Sequence, residues 1–135
     1  MKDISQTYAN DLAVAVLAFA AKRFKQHEAP LTGNELINNY DIPGPLAKDV
    51  LERLQRAGLL TAINPNDDKG EVGYQPAFDP DDLTVNTALN ALTAVGSANF
   101  IVKADTGFAH VLKGITALRQ QQQQAVDDVP LLTLV

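Results

Sequence analysis

The pattern of apolar and polar positions between residues 32 and 57 predicts two short helices joined by a turn. Thr32 and Glu35 have the spacing of a capping box at the start of the first helix. Asn38 and Asn39 are expected to end it, and residues 40–44 have turn composition. A second helix is predicted from Pro45 to Ala57, followed by Gly58, which suits a left-handed helix end. Its apolar residues fall on one face at helical spacing: Leu46, Val50, Leu51 and Leu54.

Two strands are predicted after this pair of helices, at Leu59–Ile63 and Glu71–Gln75. The stretch between them, 64–70, is rich in Asn, Asp, Pro and Gly, which favour turns, and it is too long for a two-residue hairpin. We therefore expect a projecting wing. Residues 32–76 together predict a winged helix-turn-helix.

A long helix is predicted before this motif, from Gln6 to His27, with Ser5 or Thr7 as its cap. It has two apolar stripes, so two of its faces should be buried. One face can cover the winged helix, while the other needs the C-terminal helix or another chain. The stripes are Tyr8, Leu12, Val16 and Phe19, and Val14, Leu17, Ala21 and Phe24.

Two more helices are predicted after the wing. The first runs over 81–95, capped by Asp79 or Asp81 and stopped by Gly96. A linker over 97–106 leads to the last helix, at 107–126. Its expected apolar face consists of Phe108, Val111, Ile115 and Leu118.

The predicted fold class is mainly α with a small β-hairpin. Residues 1–96 form the winged-helix domain with its N-terminal helix, and residues 97–135 form a helical extension that packs on it. The candidates for self-association, and so for a homodimer, are Leu12, Val16, Phe19, Phe108 and Ile115.

Composition removes several function classes. The 135 residues include no cysteine, which excludes disulfides, thiol catalysis and cysteine-based metal or cluster sites. The longest apolar run, Leu12–Ala21, is ten residues, whereas a membrane-spanning helix needs roughly 20. The start of the chain does not resemble a secretory signal. We therefore expect this chain alone to be soluble.

No catalytic constellation is apparent. His27 and His110 lack a Ser or Asp arrangement suggestive of a triad, and we interpret both as exposed or helix-end residues. No phosphate-binding glycine loop is present. The acidic run 79–82 fits helix capping better than a calcium loop, which needs six or more oxygens at set spacings. The sequence predicts no enzyme activity, metal, cofactor or small-molecule substrate.

Nucleic-acid binding is the one function with a clear mechanism, because the second helix of the motif could enter a major groove. Its candidate contacts are Lys48, Arg53, Arg56 and, on the wing, Lys69. The formal net charge of −5 opposes this interpretation. Residues 32–76 carry four basic and seven acidic side chains, and Asp67 and Asp68 lie at the wing tip. This balance favours a protein-contact or dimerisation module.

Two families show similar patterns. The Leu46–Leu60 helix and strand start, followed by Tyr74-Gln75-Pro76-Ala77 and Leu83-Thr84-Val85, resemble Rrf2-type winged helices. That resemblance covers about 12–96 and implies a DNA-binding transcription regulator. The cluster-binding cysteines of that family are absent here, so redox sensing does not carry over.

The second resemblance is to the C-terminal region of YihY/BrkB-type membrane proteins, formerly labelled ribonuclease BN. It rests on Lys22-Arg23-Phe24, Glu28–Thr32, Tyr74–Ala77 and Gly96-Ser97, and covers nearly the whole chain. It implies a preceding multi-span membrane part and a location on the cytoplasmic face of the inner membrane.

The leading hypothesis from the sequence is a non-catalytic winged-helix tail of a YihY/BrkB-like membrane protein that acts through protein contacts or self-association. The alternative is an Rrf2-like DNA-binding regulator. A third hypothesis, part of a tRNA-processing ribonuclease BN, has no supporting residues in this chain.

Overall fold

A computed structural model describes residues 5–63, 70–97, 106–124 and 128–135. It confirms a mainly helical winged helix with a small antiparallel sheet. Two 3-10 helices, at Pro80–Asp82 and Leu131–Leu134, accompany the main elements. Those elements are α1 (Gln6–Lys25), β1 (Leu31–Thr32), α2 (Gly33–Tyr40), α3 (Gly44–Arg56), β2 (Leu60–Ile63), β3 (Gly73–Pro76), α4 (Val85–Ser97) and α5 (Gly107–Gln124).

The sheet has the strand order β1-β3-β2, with both pairs antiparallel. Thr61 pairs with Gln75 in the hairpin, and Leu31 pairs with Tyr74 on the other side of β3. The sequence pattern does not predict strand β1. A two-residue strand is too short to show a periodic pattern, and its pairing with β3 depends on a contact between distant parts of the chain.

Helix α1 lies at the centre of the core and packs against α3, α4 and β3. Ala13, Leu17 and Ala21 of α1 are fully buried. The predicted core stripe of α3 is confirmed, because Leu46, Val50, Leu51 and Leu54 are all buried. The stripe of Tyr8, Leu12, Val16 and Phe19 is only partly covered, since Tyr8 and Phe19 are exposed. In the other stripe Phe24 is exposed, while Val14, Leu17 and Ala21 are buried.

Several predicted helix ends are confirmed and others move by a few residues. Ser5 caps α1 by accepting a hydrogen bond from the Tyr8 amide at 3.1 Å. The helix ends at Lys25 rather than at His27, which has a positive φ of 58°. Helix α2 continues past the predicted stop at 38–39 to Tyr40, and Asp41 takes the left-handed position with φ 55°.

Smaller shifts affect the second helix and the hairpin. The helix expected at 45–57 is Gly44–Arg56, and the strands expected at 59–63 and 71–75 are Leu60–Ile63 and Gly73–Pro76. Gly58 has the predicted left-handed conformation, with φ 72°. Residues 64–69 of the predicted wing, residues 98–105 of the predicted linker over 97–106, and residues 125–126 of the last predicted helix lie outside the described residues.

The helix predicted over 81–95 is wrong at its start. Pro80–Asp82 is a 3-10 helix, capped by Asp79, whose carboxylate accepts from the Asp81 amide at 3.0 Å. The chain is then extended at Leu83. Thr84 Oγ1 accepts from the Thr87 amide at 3.1 Å, which caps α4 in place of the acidic residues. Helix α4 continues through Gly96 to Ser97.

The C-terminal tail returns to the winged helix after α5. Thr84 forms an antiparallel bridge with Pro130, and the Leu131 amide donates to the Leu83 carbonyl at 2.9 Å. The Asp128 carboxylate accepts from the Asn86 amide at 3.0 Å and so caps the start of α4 from a distant part of the chain. Leu131 is completely buried in the core. The tail therefore completes the hydrophobic core.

Candidate nucleic-acid interface

The turn between α2 and α3 is held by a short set of backbone contacts. The Ile42 amide donates to the Leu36 carbonyl at 3.1 Å, which is possible because Asp41 has left-handed backbone angles. Aspartate tolerates this conformation better than most residues. Pro43 and Pro45 then begin α3, where missing amide donors cost little. The turn therefore sets the angle at which α3 leaves α2.

One face of α3 is open to solvent. Pro45, Lys48, Glu52, Gln55 and Arg56 are exposed, opposite the buried leucine and valine stripe. Lys48 and Glu52 are four residues apart and therefore lie on the same side of the helix. This face has the shape of a recognition helix, with one basic and one acidic side chain at its centre.

Lys48 lies beside the first turn of α2. Together with Gly33, Asn34 and Tyr74 it lines a shallow hollow of about 260 Å³ between α2, α3 and the start of β3. The first amides of a helix carry a partial positive charge and no intrahelical partner. Lys48 and the α2 N-terminus are thus neighbouring positive groups on this surface, and the acidic Glu71 lines the same hollow. A DNA phosphate is an anion of the kind that such a pair attracts.

Arg53 has a different environment from the one predicted for a DNA contact. Its Nε donates to the Asp49 carboxylate at 2.8 Å, and its Nη2 donates to the Gln6 side chain at 3.3 Å. The guanidinium is therefore turned towards the N-terminus of α1. Asp49 partly cancels its charge, so Arg53 is not a free phosphate ligand in this structure.

Arg56 is exposed and borders a hollow of about 180 Å³ away from Lys48, which Arg53 and its partners Asp49 and Gln6 also line. It lies about 12 Å along the helix axis from Lys48. The structure therefore does not bring Lys48, Arg53 and Arg56 into one basic patch. Lys69, the fourth predicted contact, lies outside the described residues. Asn34, which the sequence analysis did not single out, lines the hollow beside Lys48.

The predicted self-association residues are divided between α1 and α5. Val16 is buried in its own chain, and Leu12 is partly buried. Phe19 is exposed and packs beside Tyr40, with ring centroids 5.7 Å apart. Phe108 and Ile115 are exposed on α5.

Helix α5 has an apolar face that the rest of its own described chain leaves uncovered. Ala109 is its buried residue, while five large apolar side chains along 18 residues are exposed. They recur every three or four positions, as in the seam between paired helices. They are Phe108, Val111, Leu112, Ile115 and Leu118.

Neither histidine lies in a site. His27 and His110 are both exposed. Within the described ranges, no group of three or more His, Asp or Glu side chains is placed to hold a metal ion. No helix in those ranges is both long enough and apolar enough to cross a membrane.

Solved structures of similar fold cover nearly the whole chain. T. potens IscR superposes with a TM-score of 0.58 at 14% identity, covering 98% of this chain and 86% of IscR. Staphylococcus aureus CymR superposes with a TM-score of 0.60 at 13% identity, covering 94% of each chain. B. subtilis CymR, named the global cysteine regulator, has a TM-score of 0.53 at 16% identity and covers 87% of this chain and 88% of its own.

Comparisons of sequence found no match. No protein-family model and no curated protein matches the chain. The structural likeness shows the fold and supports the Rrf2-type resemblance. It lends no support to an origin in YihY/BrkB membrane proteins, to attachment to the inner membrane or to the ribonuclease BN label. The expectation that acidic residues disfavour DNA likewise finds no support.

Proposed function

We propose that this chain is an Rrf2-like winged-helix transcription regulator that binds duplex DNA as a homodimer. The observation that carries the proposal is the open face of α3, with Lys48 beside the N-terminus of α2. The fold around this face is similar to that of Rrf2-type regulators over at least 87% of the chain. The sequence ranked this function as the alternative, and the structural likeness supports it over the membrane-tail hypothesis.

Helix α3 suits the major groove, which is about 12 Å wide and admits one α-helix. In that pose Lys48 and Glu52 face the base edges. Lysine donates to guanine acceptors, and glutamate accepts from the cytosine amino group. A mixed pair of this kind suits selective rather than indiscriminate binding. Glutamate is repelled by the DNA phosphates, and this repulsion is offset only where a cytosine amino group donates a hydrogen bond to it.

The negative charge of the chain limits phosphate binding but does not exclude it. Each phosphate contact contributes about −0.9 to the slope of log K against log salt concentration. With Lys48, Arg56 and the α2 N-terminus as the described positive groups, we expect few contacts per protomer and a shallow slope. A dimer doubles the number of contacts and places two α3 helices about 34 Å apart on one face of DNA.

The exposed apolar face of α5 supports the dimer. A long helix with five exposed apolar residues at three- and four-residue spacing is unfavourable in water and is covered when two copies pair. The predicted self-association residues Phe108 and Ile115 belong to this face. Val16 does not contribute, because it is already buried.

The proposal is tested by selecting duplexes from a random library and measuring their affinity by fluorescence anisotropy. Lys48→Ala is expected to weaken binding about tenfold, because a good base contact contributes about 1–3 kcal/mol. Lys113→Ala is the matched control. Lys113 is an exposed lysine on α5, not on the open face of α3, so this variant should bind like the wild type. Failure to select any duplex, or equal binding by the Lys48 variant, rejects the proposal.

Protein contacts through the apolar surfaces of α1 and α5 are the second candidate, favoured by the exposure of Phe19 and Phe108. This function predicts a stable dimer or complex with no selected duplex. A processing ribonuclease predicts cleavage of tRNA precursors by this chain, which we do not expect.

A further inference from the structure

A further concave surface lies behind the helix-turn-helix, on the side facing α1. It is a cleft of about 320 Å³, of the size that holds one small molecule. Buried Val16, Leu36 and Leu46 contribute to its lining. Its wall on α1 includes Tyr8, Leu12, Ala15 and Phe19, and its wall on the helix-turn-helix includes Tyr40, Asp41, Ile42 and Pro43.

The lining has a specific chemistry. Tyr8, Phe19 and Tyr40 are aromatic and exposed, so their rings are available to a ligand. Aromatic faces attract cations, quaternary ammonium groups among them. Most of the remaining lining is aliphatic, which favours an apolar body.

Asp41 adds a negative charge at the edge of the cleft. It is exposed and takes part in none of the ion pairs found among the described residues, which join Arg23 to Glu35, Lys25 to Asp81 and Arg53 to Asp49. Glu35 matches the nearby charge of Arg23, whose guanidinium also interacts with the Tyr40 side chain. The electrostatics of the cleft therefore favour a cation and disfavour an anion.

The position of the cleft connects it to the recognition helix. Asp41, Ile42 and Pro43 form both the wall of the cleft and the turn that orients α3. A ligand wedged between α1 and this turn contacts the segment that sets the angle of α3. If the ligand fits one orientation of α3 better than another, its binding favours that orientation and so changes the affinity for DNA.

We propose that this cleft binds a small aromatic or alkyl cation and that occupancy lowers the affinity of the helix-turn-helix for DNA. The regulatory half rests on the proposed function, while the binding half does not. The observations behind it are the apolar cleft, its three aromatic rings, the Asp41 carboxylate, which belongs to no ion pair among the described residues, and the turn that they share.

The binding test uses benzyltrimethylammonium and its uncharged isostere neopentylbenzene with the full chain. Two of the three tyrosines line the cleft, so tyrosine fluorescence together with amide NMR shifts reports occupancy. We expect one cation per chain, bound at least threefold more tightly than the isostere. Equal affinity for the two probes, or no binding, overturns the proposal.

Variants then locate the site. Asp41→Asn keeps a residue that tolerates the left-handed conformation, so the turn should survive while the preference for the cation is lost. Asp11→Asn, an exposed carboxylate on α1 that does not line the cleft, is the control for net charge. Ala15→Trp fills the cleft from an exposed position and should abolish binding. If it instead weakens the dimer and leaves the cation bound, the cleft belongs to a second copy and the proposal is wrong.

The regulatory half is measured on a selected duplex. Saturating benzyltrimethylammonium should weaken binding of that duplex at least threefold in the wild type and leave the Ala15→Trp variant unaffected. An unchanged wild-type affinity rejects regulation even if the cation binds. If no duplex can be selected, the proposed function fails and the regulatory half fails with it, whereas the result for cation binding stands separately.

Discussion

Arg23 on α1 binds Glu35 on α2 through both sides of its guanidinium group. Nη1 donates to Glu35 Oε1 at 2.9 Å, and Nη2 donates to Oε2. The Thr32 hydroxyl, which accepts from the Glu35 amide at 3.2 Å, completes the cap of α2. The pair therefore ties the first helix of the helix-turn-helix to the central helix of the core.

Replacing Glu35 with Gln should destabilise the fold. The side chains of Arg23 and Glu35 are 21% and 27% exposed, so the pair is partly shielded from water. Charge-assisted bonds in such positions contribute more than surface ion pairs, and we expect a loss of about 1–3 kcal/mol in the free energy of unfolding. Urea unfolding followed by circular dichroism measures it. Glu28→Gln, exposed and in no ion pair among the described residues, should change stability little.

The same pair should make stability depend on pH in the acid range. The hydrogen bond from Arg23 holds the pKa of Glu35 below its usual value, which is about 4.3 in the unfolded chain. The stabilisation is therefore complete above that value and is lost as pH falls through the lower pKa of the folded state. Unfolding titrations between about pH 6 and pH 2 should show a smaller slope for Glu35→Gln than for the wild type. Equal slopes would show that the pair does not contribute.

Asp128 should also make the protein less stable as the pH falls, because its pKa is lowered in the folded state. The hydrogen bond from Thr84 is the main cause of its lowered pKa. The acid dependence left in Glu35→Gln should therefore decrease further when Asp128 is also replaced by Asn.

Shortening the buried side chain of the tail, at Leu131, should lower the free energy of unfolding far more than shortening the exposed side chain of Leu134. Leu131 is completely buried, and Leu131→Ala is expected to lower the free energy of unfolding by about 2–5 kcal/mol. Leu134 lies three residues later and is 61% exposed, so Leu134→Ala should cost less than about 0.5 kcal/mol. Similar losses for the two variants would contradict the docking of the tail.

A charge on the apolar face of α5 should break the dimer. Ile115→Asp places a carboxylate in the centre of that face, and we expect monomers at concentrations where the wild type is dimeric. Ala117→Asp carries the same charge on the other side of the helix and should leave the dimer intact. Light scattering coupled to size-exclusion chromatography distinguishes the two. A wild-type monomer at all accessible concentrations would reject the proposed homodimer.

Gly73 should be intolerant of any side chain. A Cβ at this position would approach the Cβ of Pro30 to 2.7 Å, because β1 and β3 come close together there. Gly73→Ala must push the strands apart and should lower the melting temperature by several degrees, as a loss of about 1 kcal/mol does. Gly114→Ala on α5 meets no atom within 4 Å and should be neutral or stabilising.

The winged-helix pattern follows from local features of the sequence. Helical spacing placed Leu46, Val50 and Leu54 in the core, and local capping identified Thr32 and Gly58 correctly. These features depend on energies between residues a few positions apart, so they can be found without knowing the rest of the fold.

Which charged side chains are available to a ligand depends on contacts between distant parts of the chain. Arg53 had the right position on the recognition helix, yet Asp49 and Gln6 hold it away from the open face. The short strand β1 and the buried position of Leu131 likewise depend on partners more than 40 residues away, in β3 and at Leu83. Long side chains and short strands take their conformation from whichever partner the fold brings near, and spacing along the chain does not specify that partner.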